Sequence, residues 1–337
     1  MALPSSGALS LLDIQGEFGG SNPIGINEYY GAAAGIPASG TIAINDFYGA
    51  SAFNANLSHT LDNPNAYSTS ASDNFGYAAS ISNSYAIVGA YGEDDAGGST
   101  SGKAYIFNPA TGALLHTLDN PNAYSTSASD QFGISVAIND SYAIVGAYTE
   151  DDAGGTNSGK AYIFNPSTGA LLHTLNNPNA YGTSASDFFG ATVAISDSYA
   201  IVGAYLEDDA AGTSSGKAYI FNPSTGALLH TLDNPNAYST SARDEFGRFS
   251  VSISDSYAIV AARLEDEDGV SSSGKAYIFS PSTGALLYTL DNPNAYGTSA
   301  YDEFGISVAI SDSYAIVGTR SEDDAGGNSS GKAYIFS

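Results

Sequence analysis

Five acidic clusters contain the side chains of this chain that could bind a metal ion. Each cluster has the form Glu-Asp-Asp or a close variant followed by glycine, and the clusters begin at Glu93, Glu150, Glu207, Glu265 and Glu322. Calcium is bound through carboxylate oxygens. The candidate ligands are Glu93, Asp94, Asp95, Glu150, Asp151 and Asp152. Adjacent carboxylates point in different directions, and the spaced ligands of an EF-hand are absent. Solvated acidic loops are therefore the alternative interpretation, and calcium is a candidate cofactor.

The arginines are a second group with binding chemistry. Five lysines recur at regular intervals, whereas all four arginines lie in one part of the chain, at Arg243, Arg248, Arg263 and Arg320. A guanidinium group binds a carboxylate or a phosphate with a planar fork. We therefore expect a sector that binds an acidic glycan, a phosphorylated polymer or an acidic partner subunit. The alternative is that each arginine pairs with a nearby Glu-Asp-Asp loop.

Tyrosines and histidines also recur at fixed positions. A tyrosine ends each Asn-Pro-Asn-Ala loop, at Tyr67, Tyr124, Tyr181, Tyr238 and Tyr296. These rings could stack on sugars, or each could pin its own turn. The histidines His59, His116, His173 and His230 occupy equivalent repeat positions, too far apart to share one metal or one proton. The candidate binding residues are therefore the four arginines and the five loop tyrosines.

A repeat positions all of these side chains. The Phe-Gly pair recurs at intervals of 57, 57, 57 and 58 residues, beginning at Phe75. Each unit contains four short apolar runs separated by Gly, Pro, Asn, Asp and Ser, a pattern typical of strands and turns. The second run, Tyr-Ala-Ile-Val-Gly-Ala in most units, is apolar on both faces, as expected for a sheet packed between two others. Such units predict the blades of a β-propeller.

The phase of the repeat predicts how the propeller closes. The run Leu57–Leu61 matches the fourth strand of a unit, whereas the chain stops after a third strand. We predict an all-β, five-bladed propeller with four strands per blade and a one-plus-three seam, with residues 57–61 beside 304–336. The domains are then an arm over residues 1–52 and the propeller over residues 53–337. One extra residue next to Arg248 predicts a β-bulge in the fourth blade.

Loop length indicates which face of the propeller binds. The connections 119–130 and 149–159 are long and emerge on one face, while the turns 139–141 and 165–169 are short and lie on the other. Binding residues sit on loops held by a rigid scaffold. Near-identical blades disfavour an enzyme, because catalysis needs unlike groups that converge on one point.

The composition excludes several classes of partner. The chain has 9 Lys and Arg residues against 35 Asp and Glu residues, a net charge of −26, which disfavours nucleic-acid binding. It has no cysteine, so disulfides and thiolate metal sites are excluded. The N-terminus lacks the features of a secretory signal, and no apolar run is long enough to span a membrane. We expect no membrane insertion and no export by the general secretory route.

Two segments resemble known families. Phe-Gly followed by Ser-Val-Ala-Ile, then Ala-Ile-Val-Gly-Ala and Ser-Gly-Lys-Ala-Tyr-Ile-Phe, resembles the FG-GAP repeat of the integrin α-subunit propeller and of bacterial and phage surface proteins. That resemblance covers about residues 57–337 and implies a propeller. Short turns such as Asn139-Asp140-Ser141 replace the calcium loop of that family. Calcium binding of the family type is therefore not expected at these turns.

The N-terminal arm resembles a segment of marine tailed-phage structural proteins. The resemblance covers residues 5–52, including Ile26-Asn-Glu-Tyr-Tyr-Gly and Ile44-Asn-Asp-Phe-Tyr-Gly. It implies a non-enzymatic virion protein, a decoration, fibre or tail-associated component. Residues 1–50 would bind other virion proteins, and the acidic propeller would contact a host glycan or protein. The alternative is a bacterial surface adhesin or glycan-binding propeller that depends on calcium.

Overall fold

The structure is a computed structural model of the chain, which divides into two compact units at residues 1–60 and 61–337. It describes residues 57–64, 71–94, 98–121, 129–151, 155–178, 185–208, 213–235, 243–266, 271–293, 300–323 and 329–337. The described part of the first unit is residues 57–60. The expected division at residues 52 and 53 stays a prediction.

The described residues form strands and turns without a helix. The strands are β1 (Ala78–Ile81), β2 (Ala86–Ala90), β3 (Lys103–Phe107), β4 (Leu114–Asp119), β5 (Ser135–Ile138), β6 (Ala143–Ala147), β7 (Lys160–Phe164), β8 (Leu171–Asn176), β9 (Phe189–Ile195), β10 (Ala200–Ala204), β11 (Lys217–Phe221), β12 (Leu228–Asp233), β13 (Val251–Ile253), β14 (Ala258–Ala262), β15 (Lys275–Phe279), β16 (Leu286–Asp291), β17 (Ser307–Ile310), β18 (Ala315–Thr319) and β19 (Lys332–Phe336). No helix among these residues could cross a membrane.

The strands form five antiparallel sheets, one for each repeat. In each sheet the strands pair in chain order, giving blade 1 (β1–β4), blade 2 (β5–β8), blade 3 (β9–β12), blade 4 (β13–β16) and blade 5 (β17–β19). The second and third strands of blades 2 to 4 are buried along their whole length, because each of these sheets packs between two others. This arrangement confirms the predicted all-β fold of five propeller blades.

The Phe-Gly pairs seal the joints between blades. Phe132 is fully buried, and its ring lies 5.8 Å from that of Tyr162 and 6.0 Å from that of Phe164. Leu118 of blade 1 packs into the same cluster. Phe189, Phe246 and Phe304 are equally buried, and each packs between neighbouring blades as Phe132 does.

Glycine allows neighbouring blades to approach closely at these joints. A Cβ atom on Gly89 would lie 2.0 Å from the carbonyl oxygen of Gly133 in the next blade. Gly133 also has a φ of 92°, which disfavours any other residue. The two glycines therefore set the distance between blades 1 and 2.

The residues predicted to close the propeller show contacts with blade 1, but no pairing with blade 5 among the described residues. Residues 57–64 contain no strand, and β19 has no fourth partner among the described residues. Leu61 nevertheless packs against blade 1 as Leu118 packs against blade 2. Asn63 donates to the carboxylate of Asp73 at 2.8 Å, and this bond is equivalent to the one from Asn120 to Asp130 in the next blade. Pairing of residues 57–61 with β19 stays a prediction.

The extra residue of blade 4 does not form the predicted bulge. The pairing of β13 with β14 is regular from Val251 to Ile253. The insertion instead lies in a bend at residues 247–250, ahead of a strand shortened to three residues. The bend places Phe249 outside the sheet, half-exposed, beside Arg248.

Candidate functional site at the inner cavity

The first strands of blades 1 to 4 surround a cavity of about 530 Å³, which we call the inner cavity. Its wall carries small and hydroxyl side chains such as Ala78, Ser135 and Thr192. Its larger side chains lie where first strands begin and second strands end, which is the same end of each sheet and the face of the long loops. We call these residues the rim: Tyr77, Tyr148, Tyr205, Arg248 and Phe249.

Ring contacts hold the tyrosines of the rim in place. Tyr77 packs edge-on against Tyr91 at 4.7 Å between centroids. Phe188 lies between Tyr148 and Tyr205, at 5.5 and 5.4 Å, and is stacked on Tyr205 with an interplanar angle of 16°. Aromatic pairs of this kind contribute about 0.5–1.5 kcal/mol beyond their burial. The rim is therefore a preformed aromatic surface.

Arginines continue the rim through blade 4. The guanidinium of Arg248 lies 4.9 Å from the ring centroid of Tyr205 and 4.6 Å from that of Phe249. Arg263 covers Phe249 as well, at 4.5 Å. These cation–π contacts fix the plane of each guanidinium.

Two glutamates join three of the arginines into one ion network. Glu245 accepts hydrogen bonds from Arg248 and, at 2.9 Å, from Arg263. Glu303 accepts from Arg263 at 2.8 Å and lies 2.7 Å from Nε of Arg320. The side chain of Arg263 is only 12 % exposed, whereas that of Arg320 is 62 % exposed. Burial makes Arg263 the structural centre of the network.

The network confirms where three of the four arginines lie but not which acids they pair with. Arg248, Arg263 and Arg320 are brought together on neighbouring blades, as expected. They do pair with acids, but the partners precede the Phe-Gly pairs and are not the Glu-Asp-Asp loops. Arg243 lies exposed on a turn, and no ion pair among the described residues includes it.

The residues that precede Phe-Gly adopt an unfavourable backbone conformation. The φ angle is 56° at Asn74, 55° at Gln131, 57° at Phe188, 56° at Glu245 and 56° at Glu303. Positive φ is costly for non-glycine residues, most of all for bulky ones. Four different non-glycine side chains occupy these five positions, where glycine would fit more easily, which points to a role for the side chains themselves.

Sequence reasoning missed most of the rim, although comparison of the repeats contains the signal. The segment Lys-Ala-Tyr-Ile-Phe is identical in all five units. The residue before Phe-Gly is Asn, Gln, Phe, Glu and Glu in turn, and the residue after it is Tyr, Ile, Ala, Arg and Ile. The second strand is followed by Tyr in blades 1 to 3 and by Arg in blades 4 and 5. Variation on a constant scaffold is the pattern of a binding site.

The acidic clusters have a different structure from the one expected. Glu93 and Glu150 are fully buried, so the interpretation as solvated loops is wrong for both. The hydroxyl of Tyr105 donates to Glu93 at 2.6 Å, and Asp94 accepts the backbone N–H of Thr100 at 2.8 Å. Asp151 accepts an N–H in the same way from its own loop.

These contacts occupy carboxylate oxygens that a calcium ion would need. No group of three or more acidic or histidine side chains suited to a metal occurs within the described part of the chain. Asp95 and Asp152 lie outside the described residues. Calcium binding thus stays a prediction.

The ion-pair partner of the lysine in each unit depends on the residue that lies opposite it on the fourth strand. Three lysines pair with an aspartate opposite them on that strand, and these pairs are Lys103–Asp119, Lys217–Asp233 and Lys275–Asp291. In blade 2 the opposite residue is Asn176, and Lys160 instead donates to the buried Glu150 at 2.6 Å. Lys332 of blade 5, which has no described fourth strand, bonds its glutamate likewise.

Because these three lysines pair with aspartates, Glu93, Glu207 and Glu265 have no direct ion pair with a cation among the described residues. Burial raises the pKa of Glu207 and of Glu265 to about 8, although their tyrosine hydrogen bonds oppose the shift. Burial raises the pKa of Glu93 to about 6 for the same reason. Burial also raises the pKa of Tyr219, with a further contribution from Glu207. The glutamates of blades 3 and 4 are therefore protonated at neutral pH.

The described outer-strand histidines hold blades together away from the rim. Nε2 of His116 lies 3.1 Å from the carbonyl oxygen of Ser167, and Nε2 of His173 lies 3.0 Å from that of Ser224. Each bond links a fourth strand to a short turn of the next blade. Tyr288 replaces histidine in blade 4 and is exposed.

The loop tyrosines of the sequence prediction, namely Tyr67, Tyr124, Tyr181, Tyr238 and Tyr296, lie outside the described residues. Their proposed role in binding stays a prediction.

Five repeated antiparallel sheets, four of which line the inner cavity, define a repeat protein of the β-propeller class. The model of the FG-GAP repeat matches residues 66–107, 123–164, 179–221, 237–279 and 294–336. The chain belongs to the FG-GAP repeat family. No curated protein sequence matches the chain.

Two solved structures of computationally designed proteins are similar in part. The Ika8 protein shows a TM-score of 0.44 and 12% identity over 77% of this chain and 57% of its own. The Ika4 protein shows a TM-score of 0.37 and 14% identity over 60% of this chain and 91% of its own. The chain thus spans little more than half the length of Ika8.

Proposed function

We propose that the protein is a non-enzymatic component of a tailed-phage virion and that its propeller binds a host or partner ligand at the rim. FG-GAP repeat propellers are often ligand-binding or adhesive. The observation that carries the proposal is that the rim gathers exposed aromatic rings and an arginine on a scaffold whose other positions are repeated. Aromatic residues and arginine dominate binding surfaces.

Exposure of the rim supports binding over a purely structural role. Tyr77 is 63 % exposed and Phe249 is 48 % exposed. Blades 2, 3 and 5 carry Ile134, Ala191 and Ile306 at the position of Tyr77. The large rings are thus not needed to build a blade.

The chemistry of the rim favours binding over catalysis. Glu245 accepts hydrogen bonds from two arginines, so its carboxylate oxygens serve the ion network and not a substrate. The hydroxyls of Ser135 and Thr192 donate to backbone carbonyls of the next blade at 2.8 and 2.7 Å. Neither hydroxyl has a base that would activate it as a nucleophile.

The virion part of the proposal rests on the N-terminal arm. Its resemblance to tailed-phage structural proteins supports attachment of residues 1–50 to other virion proteins, with the propeller directed towards the host. A bacterial surface adhesin with the same binding rim is the alternative. Co-purification of the full chain, but not of a chain that starts at Ala52, with assembled particles would separate the two.

A blade swap tests the rim directly. Replacing Arg248 and Phe249 by the single isoleucine of blade 5 restores the regular repeat length and removes the most prominent side chains of the rim. We expect adsorption of the labelled protein to host cells to be lost while the melting temperature is kept. Tyr288→His, which restores the outer-strand residue of the other blades, is the matched control. Undiminished adsorption of the swapped protein would refute the rim as the binding site.

A further inference from the structure

We propose that the ligand of the rim is a saccharide that carries a carboxylate group, an inference that rests on the proposed binding function of the rim. The inner cavity and the rim offer three features that recognise such a sugar: a local positive charge, hydroxyl oxygens that can accept hydrogen bonds, and exposed aromatic faces.

The ion network holds more cations than anions in an otherwise acidic protein. The network of Arg248, Arg263 and Arg320 with Glu245 and Glu303 combines three cations with two anions. The network by itself therefore has one more positive than negative group, whereas the whole chain has a net charge of −26. An extended polyanion would be repelled by the surrounding surface, but a single carboxylate would be attracted to the rim.

Arg248 is the arginine placed to receive that carboxylate. It lines the inner cavity, its side chain is 32 % exposed, and Glu245 takes up only one of its terminal nitrogens. The rings of Tyr205 and Phe249 hold the guanidinium, and its remaining N–H groups can bind a carboxylate through two parallel hydrogen bonds.

The cavity wall complements the rest of a sugar. Ser135 and Thr192 line the cavity and donate their hydroxyl protons to backbone carbonyls, which leaves oxygen lone pairs that can accept hydrogen bonds from ligand hydroxyl groups. The half-exposed rings of Tyr77 and Phe249 offer amphipathic faces for the apolar side of a pyranose. A volume of about 530 Å³ lies in the range of small-molecule sites.

Calorimetric titration of the full chain with matched glycans tests the proposal. The acidic probes are sialyllactose and galacturonate, each with a single carboxylate, and the neutral probes are lactose and galactose. We expect each acidic probe to bind about tenfold or more tightly than its neutral partner, because a charge-assisted bidentate contact contributes 1.4 kcal/mol or more. Neutral probes that bind as tightly as the acidic ones would overturn the proposal.

Variants of the arginine sharpen the test. Arg248→Gln should remove the preference for the acidic probes, and Arg248→Lys, which keeps the charge without the fork, should keep part of it. Phe249→Ala should weaken acidic and neutral probes alike, and Tyr288→His should change nothing. An unchanged preference in both Arg248 variants would overturn the role of the guanidinium.

The outcomes separate the ligand class from the proposed function. Failure of the wild-type protein to bind any probe, together with loss of host adsorption in the blade-swapped protein, would refute the acidic sugar and leave the binding rim in place. Retained adsorption in the blade-swapped protein would refute the binding rim itself.

Discussion

Replacing the buried Glu207 with glutamine is expected to stabilise this protein at neutral pH. Glu207 is fully buried, and the hydroxyl of Tyr219 donates to both of its oxygens at 2.6 Å. Its neighbour Lys217 pairs with Asp233 instead. A glutamine can accept the same tyrosine hydrogen bond and cannot ionise, so it copies the protonated carboxyl.

The magnitude follows from the pKa difference between folded and unfolded chains. The pKa of Glu207 rises from 4.5 to about 8 in the fold. The folded protein therefore keeps a proton that the unfolded chain loses, and the stability contribution present below pH 4.5 falls as the pH rises towards 8. At about 1.4 kcal/mol per pH unit, the contribution lost between pH 5 and pH 7 is roughly 2–3 kcal/mol.

Urea unfolding at pH 5 and pH 7 measures this effect. Glu207→Gln should gain roughly 2–3 kcal/mol relative to the wild type between the two pH values. Glu150→Gln is the matched control, because Lys160 donates to Glu150 and would lose the acidic partner that it has among the described residues, in a buried site. That variant should lose about 3 kcal/mol. Equal pH dependence in Glu207→Gln and the wild type would show that Glu207 is ionised in the fold and would refute the reasoning.

Four further predictions follow from the joints, the network and the arm. Phe189→Ala should cost about 3–5 kcal/mol in urea unfolding, because the ring is fully buried between blades; a loss below 1 kcal/mol would contradict this packing. Arg263→Tyr should lower the free energy of unfolding by about 3 kcal/mol, because Glu245 and Glu303 are largely buried and would lose the arginine that they share. Arg320→Tyr should lower it by less than about 1 kcal/mol, because Arg320 is exposed. Equal losses in the two variants would contradict the difference in burial between the two arginines. A chain that starts at Ala52 should keep the circular dichroism and melting temperature of the propeller, and its unfolding would place the arm in the core. Chelation should leave the melting temperature unchanged, because the glutamate of each acidic cluster is buried against a tyrosine; a fall reversed by calcium but not by magnesium would contradict this.

The repeat made the fold predictable. The period of the Phe-Gly pair and the apolar second strand imply stacked four-stranded sheets, and the burial of Phe132 between two blades follows from that stacking. One pairing could not be foreseen. Lys160 turns to Glu150 because Asn176 replaces an aspartate on the opposite strand, and this depends on registers that a sequence pattern does not specify.

The candidate site was only partly predictable. The clustering of Arg248 and Arg263 follows from the blade phase, but their partner Glu245 does not, because a left-handed turn directs its side chain. Charge alone suggested that Glu93 is solvated, whereas a tyrosine twelve residues later buries it. The extra residue next to Arg248 was predicted to form a β-bulge, and the fold instead accommodates it in a bend that places Phe249 on the rim.

Hydrogen–deuterium exchange of the full chain, with and without the host-cell envelope fraction that it binds, tests whether the rim is the binding surface. On addition of the envelope fraction, we expect slower exchange at the starts of the first strands of blades 1 to 4, around residues 74–79, 131–136, 188–193 and 245–251. Protection confined to the fourth strands, where paired leucines such as Leu114 and Leu115 are exposed, would contradict it. The ligand would then bind the periphery of the propeller and not the rim.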